Sequence, residues 1–154
     1  VEIACLAQLI NVIAPITTIR NGGIFKQTIY HPFHMLSKYG HGVTMKAVVD
    51  AETYKCEFGD LPIVEPAVVY NEETDEVRVF VLNCSQDEDT EFEMELQGYG
   101  DKKVKKHLVL NGDDPEARNT FEDPDHVVMK ELEVPADGTK VVLPKMSWNI
   151  VIYG

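Results

Sequence analysis

Apolar and polar residues alternate along the chain after Gly42, and this alternation constrains the fold more than any other feature of the sequence. The clearest case is the segment 91–96, EFEMEL, in which acidic and apolar residues take turns. Successive side chains of a β-strand point to opposite faces, so such a segment places one face in a core and the other in water. Further strands are predicted over 44–49, 67–70, 77–82, 104–110, 127–134, 139–143 and 148–153.

Turn residues separate these predicted strands. The stretch 71–75, NEETD, lies between two of them and Ala136-Asp137-Gly138 lies between two others, and both are typical of hairpin turns. No helical periodicity or internal repeat interrupts residues 43–154. Many short strands at roughly regular spacing predict a mainly β fold, an antiparallel β-sandwich.

The first 42 residues follow a different pattern. Val1–Ile13 is apolar almost all the way round, which predicts a helix buried inside a larger protein. Pro15 cannot continue a helix. The continuous apolar run over residues 13–16 predicts a short buried strand of the parallel type, because strands of that type show such runs. The chain also opens on apolar residues without an initiator methionine. We therefore expect it to be the later part of a longer protein.

A loop and a second helix are predicted next. Thr17–Lys26 predicts a loop, in which two adjacent glycines free the backbone. Pro32 suits a first helical turn, and Gly40 fits the position after the helix. Phe33 and Leu36 form an apolar helical face between them. Helix, strand, loop and helix make half of a β/α arrangement, so the first sixteen residues should repack on the sandwich or on a neighbour, or fray.

Charge is unevenly distributed over the 154 residues, whose net charge is −12. Residues 1–42 contain three basic residues and one acidic residue, a net charge of +2, which leaves −14 for residues 43–154. Such a shift predicts two units with different surroundings. The acidic balance argues against a nucleic-acid partner, because neutralising phosphates requires clustered Lys and Arg.

A membrane partner and a disulfide framework are not indicated. Polar residues and Pro15 interrupt the apolar runs before they reach the ~20 residues that span a bilayer. No Lys or Arg precedes the first apolar run, as a signal peptide would require. Cys5, Cys56 and Cys84 are odd in number and unrelated in spacing, so free thiols in a reducing cytoplasm are predicted.

The acidic residues offer few candidates for chemistry. Glu91, Glu93 and Glu95 share the polar face of one strand, which favours a solvated face over a catalytic pair. Asp113-Asp114 and the segment 122–125 could supply oxygen ligands to calcium. Neither has the spacing of a calcium loop, so solvated turns are favoured there.

Histidines and the single tryptophan offer two more candidates. His31 and His34 are three residues apart with His41 nearby, but zinc would need a third ligand in a fixed geometry. Pro32 between the first two favours packing or capping roles. Trp148 could stack on a sugar, although its alternating strand favours a place in the core. These residues predict no self-contained active site, no metal and no cofactor.

Several long segments resemble one enzyme family. They are ACLAQLINVIAPI (4–16), GGIFKQTIYHPF (22–33), SKYGHG (37–42), LNGDDPEARNTFEDPDHV (110–127) with its Asn119-Thr120 pair, and LPKMSWNIVIYG (143–154). Together they resemble the C-terminal part of the family-51 glycoside hydrolases, the α-L-arabinofuranosidases, over essentially the whole chain.

The resemblance implies a (β/α)₈ barrel joined to a jelly-roll-like β-sandwich. Residues 1–42 would be the barrel's last helix, strand, loop and helix, and residues 43–154 the C-terminal sandwich. The family's sandwich also takes a strand from the N-terminus of the full chain. We therefore expect an exposed sheet edge here, prone to pairing with another copy, and a homo-oligomer.

The resemblance also implies an activity that this chain cannot perform alone. The family hydrolyses terminal α-L-arabinofuranosyl groups of arabinan, arabinoxylan and arabino-oligosaccharides with retention of configuration. Retention needs two carboxyl groups about 5–5.5 Å apart. The nucleophile and the acid/base lie on earlier barrel strands in the family, so both are expected upstream of Val1. No residue of this chain is assigned a catalytic role, and the chain alone is expected to be inactive and cytoplasmic.

One substrate-binding residue follows from the resemblance. Gln27, in FKQTIYHPF, matches a family glutamine that contacts the arabinofuranose from the loop after the last barrel strand. Barrel active sites are built from such loops, and an amide can both donate to and accept from sugar hydroxyls. The alternative for Gln27 is a capping or surface role. The alternative function for the whole chain is that of a non-catalytic carbohydrate-binding or oligomerisation module.

Overall fold

The computed structural model describes residues 3–112, 114–136 and 138–154. In these residues the chain is mainly β, with one helix, α1 (Tyr30–Tyr39). The strands are β1 (Ile16–Thr18), β2 (Ile24–Lys26), β3 (Val43–Met45), β4 (Thr53–Cys56), β5 (Gly59–Pro62), β6 (Val64–Asn71), β7 (Glu76–Asn83), β8 (Thr90–Glu93), β9 (Val104–Asn111), β10 (Lys130–Leu132), β11 (Lys140–Leu143) and β12 (Ser147–Tyr153). These strands pair antiparallel, which confirms the predicted fold class. No described helix is long and apolar enough to cross a membrane.

Six strands form the central sheet, in the order β10-β9-β12-β7-β6-β3. The two middle strands, β12 and β7, are buried on both faces. At their centre Ile150 pairs with Phe80 on one side and with Leu108 on the other. The predicted turn between β6 and β7 is confirmed, and the Asn71 side chain there accepts a hydrogen bond from the Thr74 amide at 2.9 Å.

A smaller sheet of β8 and β11 covers one face of the central sheet and completes the sandwich. Phe92, Met94 and Leu96 pack against the shared core, while Glu91 and Glu93 are exposed. The period-two prediction for this segment is therefore confirmed. The buried core of this layer is Val64, Val68, Val77, Val79, Val81, Val104, Val141, Leu143, Val151 and Tyr153.

Helix α1 covers the opposite face of the central sheet. A second core cluster lies there, consisting of Val69, Phe80, Leu108, Ile150 and Ile152. Met35 and Tyr39, one turn apart on α1, pack against it. The helix is confirmed, and its predicted apolar face, Phe33 and Leu36, is exposed on the side away from this cluster. Trp148 is half-buried in this cluster and stacks on Phe80 at 6.1 Å, as the core interpretation predicts.

The helix predicted over Val1–Ile13 is not observed in its described part, residues 3–13. Gln8, Asn11 and Val12 have φ angles of 60°, 64° and 58°, which a right-handed helix does not contain. Ile3 and Val12 are 82% and 83% exposed. A short helix needs a surface that buries its apolar side, and the described chain offers none here. Val1 and Glu2 lie outside the described residues.

The strand and loop predicted over 13–26 form a hairpin instead. β1 begins at Ile16 and pairs antiparallel with β2, whereas the prediction was a parallel-type strand over 13–16 and a loop after it. Ala14 is buried but Ile13 is exposed. The Asn11 side chain accepts a hydrogen bond from the Thr18 amide at 2.7 Å and holds the preceding residues against β1.

Two further differences concern the sandwich. The strands β4 and β5 form a hairpin that the sequence did not predict. The strands on either side of Ala136-Asp137-Gly138 are not a hairpin pair, because β10 pairs with β9 and β11 pairs with β8. Asp137 lies outside the described residues. A turn sequence alone does not determine which sheet each flanking strand joins.

Candidate functional site

Gln27 lies in the turn between β2 and α1. Its amide donates to the Pro15 carbonyl at 2.8 Å, and its own carbonyl accepts from the Tyr30 amide at 2.9 Å. The side-chain Nε2 donates to Thr17 Oγ1 at 3.2 Å. The backbone of Gln27 is therefore held through both its amide and its carbonyl. The side-chain oxygen, Oε1, accepts none of these hydrogen bonds.

A cleft of about 410 Å³ lies in front of Gln27. It is lined by Val12, Thr17, Phe25, Gln27, Thr28, Arg118, Asn119, Thr120, Phe121 and Glu122. Hydroxyl, amide and guanidinium groups with two aromatic rings are the groups that bind sugar hydroxyls and sugar faces. Of the described lining residues, Glu122 is the single acid. One carboxylate cannot supply the two that retaining hydrolysis needs.

The far wall of the cleft comes from the sandwich loop, which we define as residues 118–127. Phe121 contacts Phe25 edge to face, with ring centroids 4.9 Å apart. Asn119 is 5% exposed and its Nδ2 donates to the carbonyl of Lys26 at 2.8 Å. Sequence reasoning noted the Asn119-Thr120 pair but assigned it no role. Asn119 and Lys26 are 93 positions apart in the sequence, so no local pattern indicated this contact.

The acidic residues singled out in the sequence occupy solvated positions. Lys140 Nζ lies 2.8 Å from Glu91 and 3.4 Å from Glu93, which pairs both carboxylates on the exposed face of β8. Asp114 accepts from the Glu116 amide at 2.7 Å, and Asp123 accepts from His126 at 3.1 Å. These are turn and surface contacts, as predicted. Asp113 lies outside the described residues.

The histidines make packing and local contacts. His31 is buried at the start of α1 and His34 stacks on the Tyr30 ring at 5.4 Å. His41 Nε2 lies 2.7 Å from the Ser37 carbonyl. The part of the chain that the structure describes contains no group of three or more His, Cys, Asp or Glu side chains able to hold a metal ion.

Comparisons with known proteins agree with this architecture. The family described as Alpha-L-arabinofuranosidase C-terminal domain matches residues 1–147. An intracellular exo-alpha-(1->5)-L-arabinofuranosidase from Acetivibrio thermocellus is 38% identical over 100% of this chain and 31% of its own length. Intracellular exo-alpha-(1->5)-L-arabinofuranosidase 1 from Bacillus subtilis (strain 168) is 36% identical over 98% of this chain and 31% of its own length.

Solved structures give the same result. A family 51 alpha-L-arabinofuranosidase from Bifidobacterium longum is 28% identical and has a TM-score of 0.85, over 96% of this chain and 29% of that one. A second, from Xanthomonas axonopodis pv. citri, is 18% identical with a TM-score of 0.82, over 96% and 30%, and supports the fold alone. The chain spans about a third of the length of the relatives it matches. It belongs to the alpha-L-arabinofuranosidase C-terminal domain family.

Proposed function

We propose that this chain is the C-terminal part of a retaining α-L-arabinofuranosidase. The full-length protein would hydrolyse terminal α-L-arabinofuranosyl groups of arabinan, arabinoxylan and arabino-oligosaccharides. The observation that carries the proposal is family membership over residues 1–147 in a chain that covers 31% of its relatives. The single acid of the described cleft supports placing the catalytic pair elsewhere in the full-length protein.

The proposal is tested by comparing the activity of this chain with that of the full-length protein. With p-nitrophenyl α-L-arabinofuranoside as substrate, we expect the full-length protein to release p-nitrophenol. NMR of the first anomer of the released sugar should show retention of configuration. The purified 154-residue chain should release none above the buffer rate. Turnover by the chain alone, or inversion by the full-length protein, would contradict the proposal.

Gln27 is proposed to contact the sugar in the full-length protein. Its backbone is held by Pro15 and Tyr30, and the residue lines the cleft. Gln27→Ala should lower kcat/KM on the aryl arabinofuranoside by about tenfold to a few hundredfold, the loss typical of hydrogen bonds strengthened in a transition state. Gln86→Ala is the matched control, since Gln86 is exposed and lines neither this cleft nor the groove along β8. Equal kinetics of the two variants would exclude the sugar contact.

The two segments of the chain are proposed to belong to different parts of the full-length protein. Residues 1–42 would belong to the barrel and residues 43–154 would form the sandwich. The start of the central sheet at β3, directly after Gly42, supports this boundary. The intracellular relatives support a cytoplasmic location. The alternative of a carbohydrate-binding module has less support, because Trp148 packs into a core cluster.

An assembly role through the edge of β8 is proposed as well. Among the named strands β8 pairs with β11 alone, and a groove of about 990 Å³ runs along its other side between residues 45–52 and 88–97. An unpaired edge is a template for a strand from another copy. Glu91 and Glu93 on that strand carry two negative charges against the single positive charge of Lys140, so paired copies would still repel each other and association should strengthen with salt. Sedimentation that gives a monomer at high concentration in both low and high salt would refute this role.

A further inference from the structure

We propose that the sandwich loop clamps the turn that carries Gln27, and that Asn119 is the positioning residue of this clamp. The proposal rests on the proposed function of Gln27 and goes beyond it, because it gives the β-sandwich a part in sugar binding. Asn119 lines the cleft, but its amide donors and its acceptor are already engaged by main-chain atoms, so it would not bind the substrate. It would act through the backbone on which Gln27 is mounted.

The clamp holds the N-terminal side of the turn through Asn119. The Asn119 Nδ2 donates to the Lys26 carbonyl at 2.8 Å and to the Val127 carbonyl at 2.9 Å, while its Oδ1 accepts from the Val127 amide at 2.6 Å. All three bonds end on main-chain atoms, and the side chain is 5% exposed. Lys26 immediately precedes Gln27, so the buried amide fixes the peptide next to the proposed sugar contact.

Side-chain contacts support the same turn. Phe25, the residue before Lys26, contacts Phe121 of the sandwich loop with ring centroids 4.9 Å apart. The Lys26 ammonium lies 5.0 Å from the centre of the Tyr30 ring and so links the two ends of the turn. The N-terminal side of the turn is thus tied to the sandwich loop, and Lys26 connects that side to the start of α1.

Rigid mounting matters for a hydrogen-bonding residue. A displacement of about 1 Å at a binding residue can cost on the order of a hundredfold in rate. An asparagine amide supplies two donors and an acceptor from one short side chain, which is what the two carbonyls and one amide here require. Aspartate in its place would still accept from Val127 but would set a carboxylate against two carbonyl oxygens.

A kinetic double-mutant cycle in the full-length protein tests the clamp. Asn119→Asp should lower kcat/KM on the aryl arabinofuranoside by about tenfold or more, and the same change in a Gln27→Ala background should add less than about twofold. If Asn119→Asp does not fold, the milder Asn119→Ser takes its place, since a hydroxyl on a shorter side chain cannot maintain all three bonds. Losses that multiply in the double variant would refute the proposal.

Asn83→Asp is the matched control. Asn83 is equally buried in the sandwich and donates to the carbonyls of Leu143 and Pro144 at 3.0 and 3.1 Å, so its substitution also destabilises a buried amide site. It contacts no residue of the turn that carries Gln27. Well below the unfolding temperature, Asn83→Asp should leave kcat/KM within about twofold of the unsubstituted protein. A loss equal to that of Asn119→Asp would mean that general destabilisation is the cause, and would overturn the clamp.

Hydrogen exchange separates failure of the clamp from failure of the sugar contact. If Gln27→Ala alone leaves kcat/KM unchanged, the proposed sugar contact fails and kinetics no longer reports on the clamp. Exchange in a peptide covering residues 24–31 of the full-length protein then decides. Faster exchange in Asn119→Asp but not in Asn83→Asp supports the clamp, and unchanged exchange in Asn119→Asp refutes it.

Discussion

Replacing Arg78 should loosen the helix that covers the second face of the central sheet. The Arg78 side chain is buried, with its Nε and Nη2 donating to Glu76 Oε2 at 3.1 and 2.8 Å. Its Nη1 donates to the Tyr39 carbonyl at 3.2 Å, at the C-terminal end of α1, where a cation is also favourable for the helix dipole. The substitution Arg78→Met keeps most of the apolar stem and removes all of these bonds.

The cost follows from what the substitution leaves behind. Breaking a fully buried ion pair costs about 3–5 kcal/mol, because the remaining charge stays desolvated. The Glu76 side chain is 21% exposed and keeps a hydrogen bond from Thr74, which lowers that figure. The unpaired Tyr39 carbonyl adds about 1 kcal/mol. We expect Arg78→Met to destabilise the chain by about 2–4 kcal/mol.

Urea unfolding followed by circular dichroism measures this loss, with Lys106→Met as the control. The ion pair of Lys106 with Glu131 is 3.3 Å long, and its side chains are 37% and 58% exposed. Exposed pairs contribute about 0–1 kcal/mol. Equal changes in unfolding free energy for the two variants would refute the reasoning, since burial of Arg78 would then contribute nothing.

Three further predictions concern the buried core. Asn149→Leu should lower the free energy of unfolding by about 2–4 kcal/mol, because it leaves the buried His107 ring without its partner 3.0 Å away. Adding His107→Leu should restore part of this loss, and strictly additive changes in unfolding free energy would contradict the prediction. Burial lowers the pKa of His107, and the hydrogen bond with Asn149 opposes this only in part. As pH drops below about 6.5, His107 is therefore protonated in the unfolded chain before it is protonated in the folded chain, and stability should fall. A His107→Leu variant with the same pH profile would contradict that assignment. Leu143→Ala should cost about 2–5 kcal/mol by thermal or urea unfolding, and a loss under 1 kcal/mol would mean that the site collapses to fill the cavity.

The sandwich could be predicted from sequence because its signal is local. Alternation over 91–96 fixes which residues of β8 enter the core without knowledge of the strand's partner, and β7, β9 and β12 follow from similar runs. Strand partners are a different matter. The turn at 136–138 suggested a hairpin, yet β10 joins the central sheet and β11 joins the smaller one.

The N-terminal segment could not be predicted, because its structure depends on what covers it. An apolar run such as 3–13 has the composition of a buried helix, but helical hydrogen bonds alone do not stabilise so short a segment in water. Asn11 instead ties the run to β1 through the Thr18 amide. Gln27 was proposed from a motif, whereas the role proposed for Asn119 depends on a contact between residues 93 positions apart.

The links between the two segments of the chain explain why composition alone suggested separate units. Three buried side chains of residues 43–154 reach residues 1–42: Asn71 donates to the His41 carbonyl, Arg78 to the Tyr39 carbonyl and Asn119 to the Lys26 carbonyl. All three acceptors are main-chain atoms, which every residue type provides. Among the described residues the ion pairs lie within 43–154, despite the opposite net charges of the two segments. Because these three hydrogen bonds end on main-chain atoms, side-chain substitutions in the first segment leave their acceptors in place, and the charge and hydropathy of that segment do not indicate them.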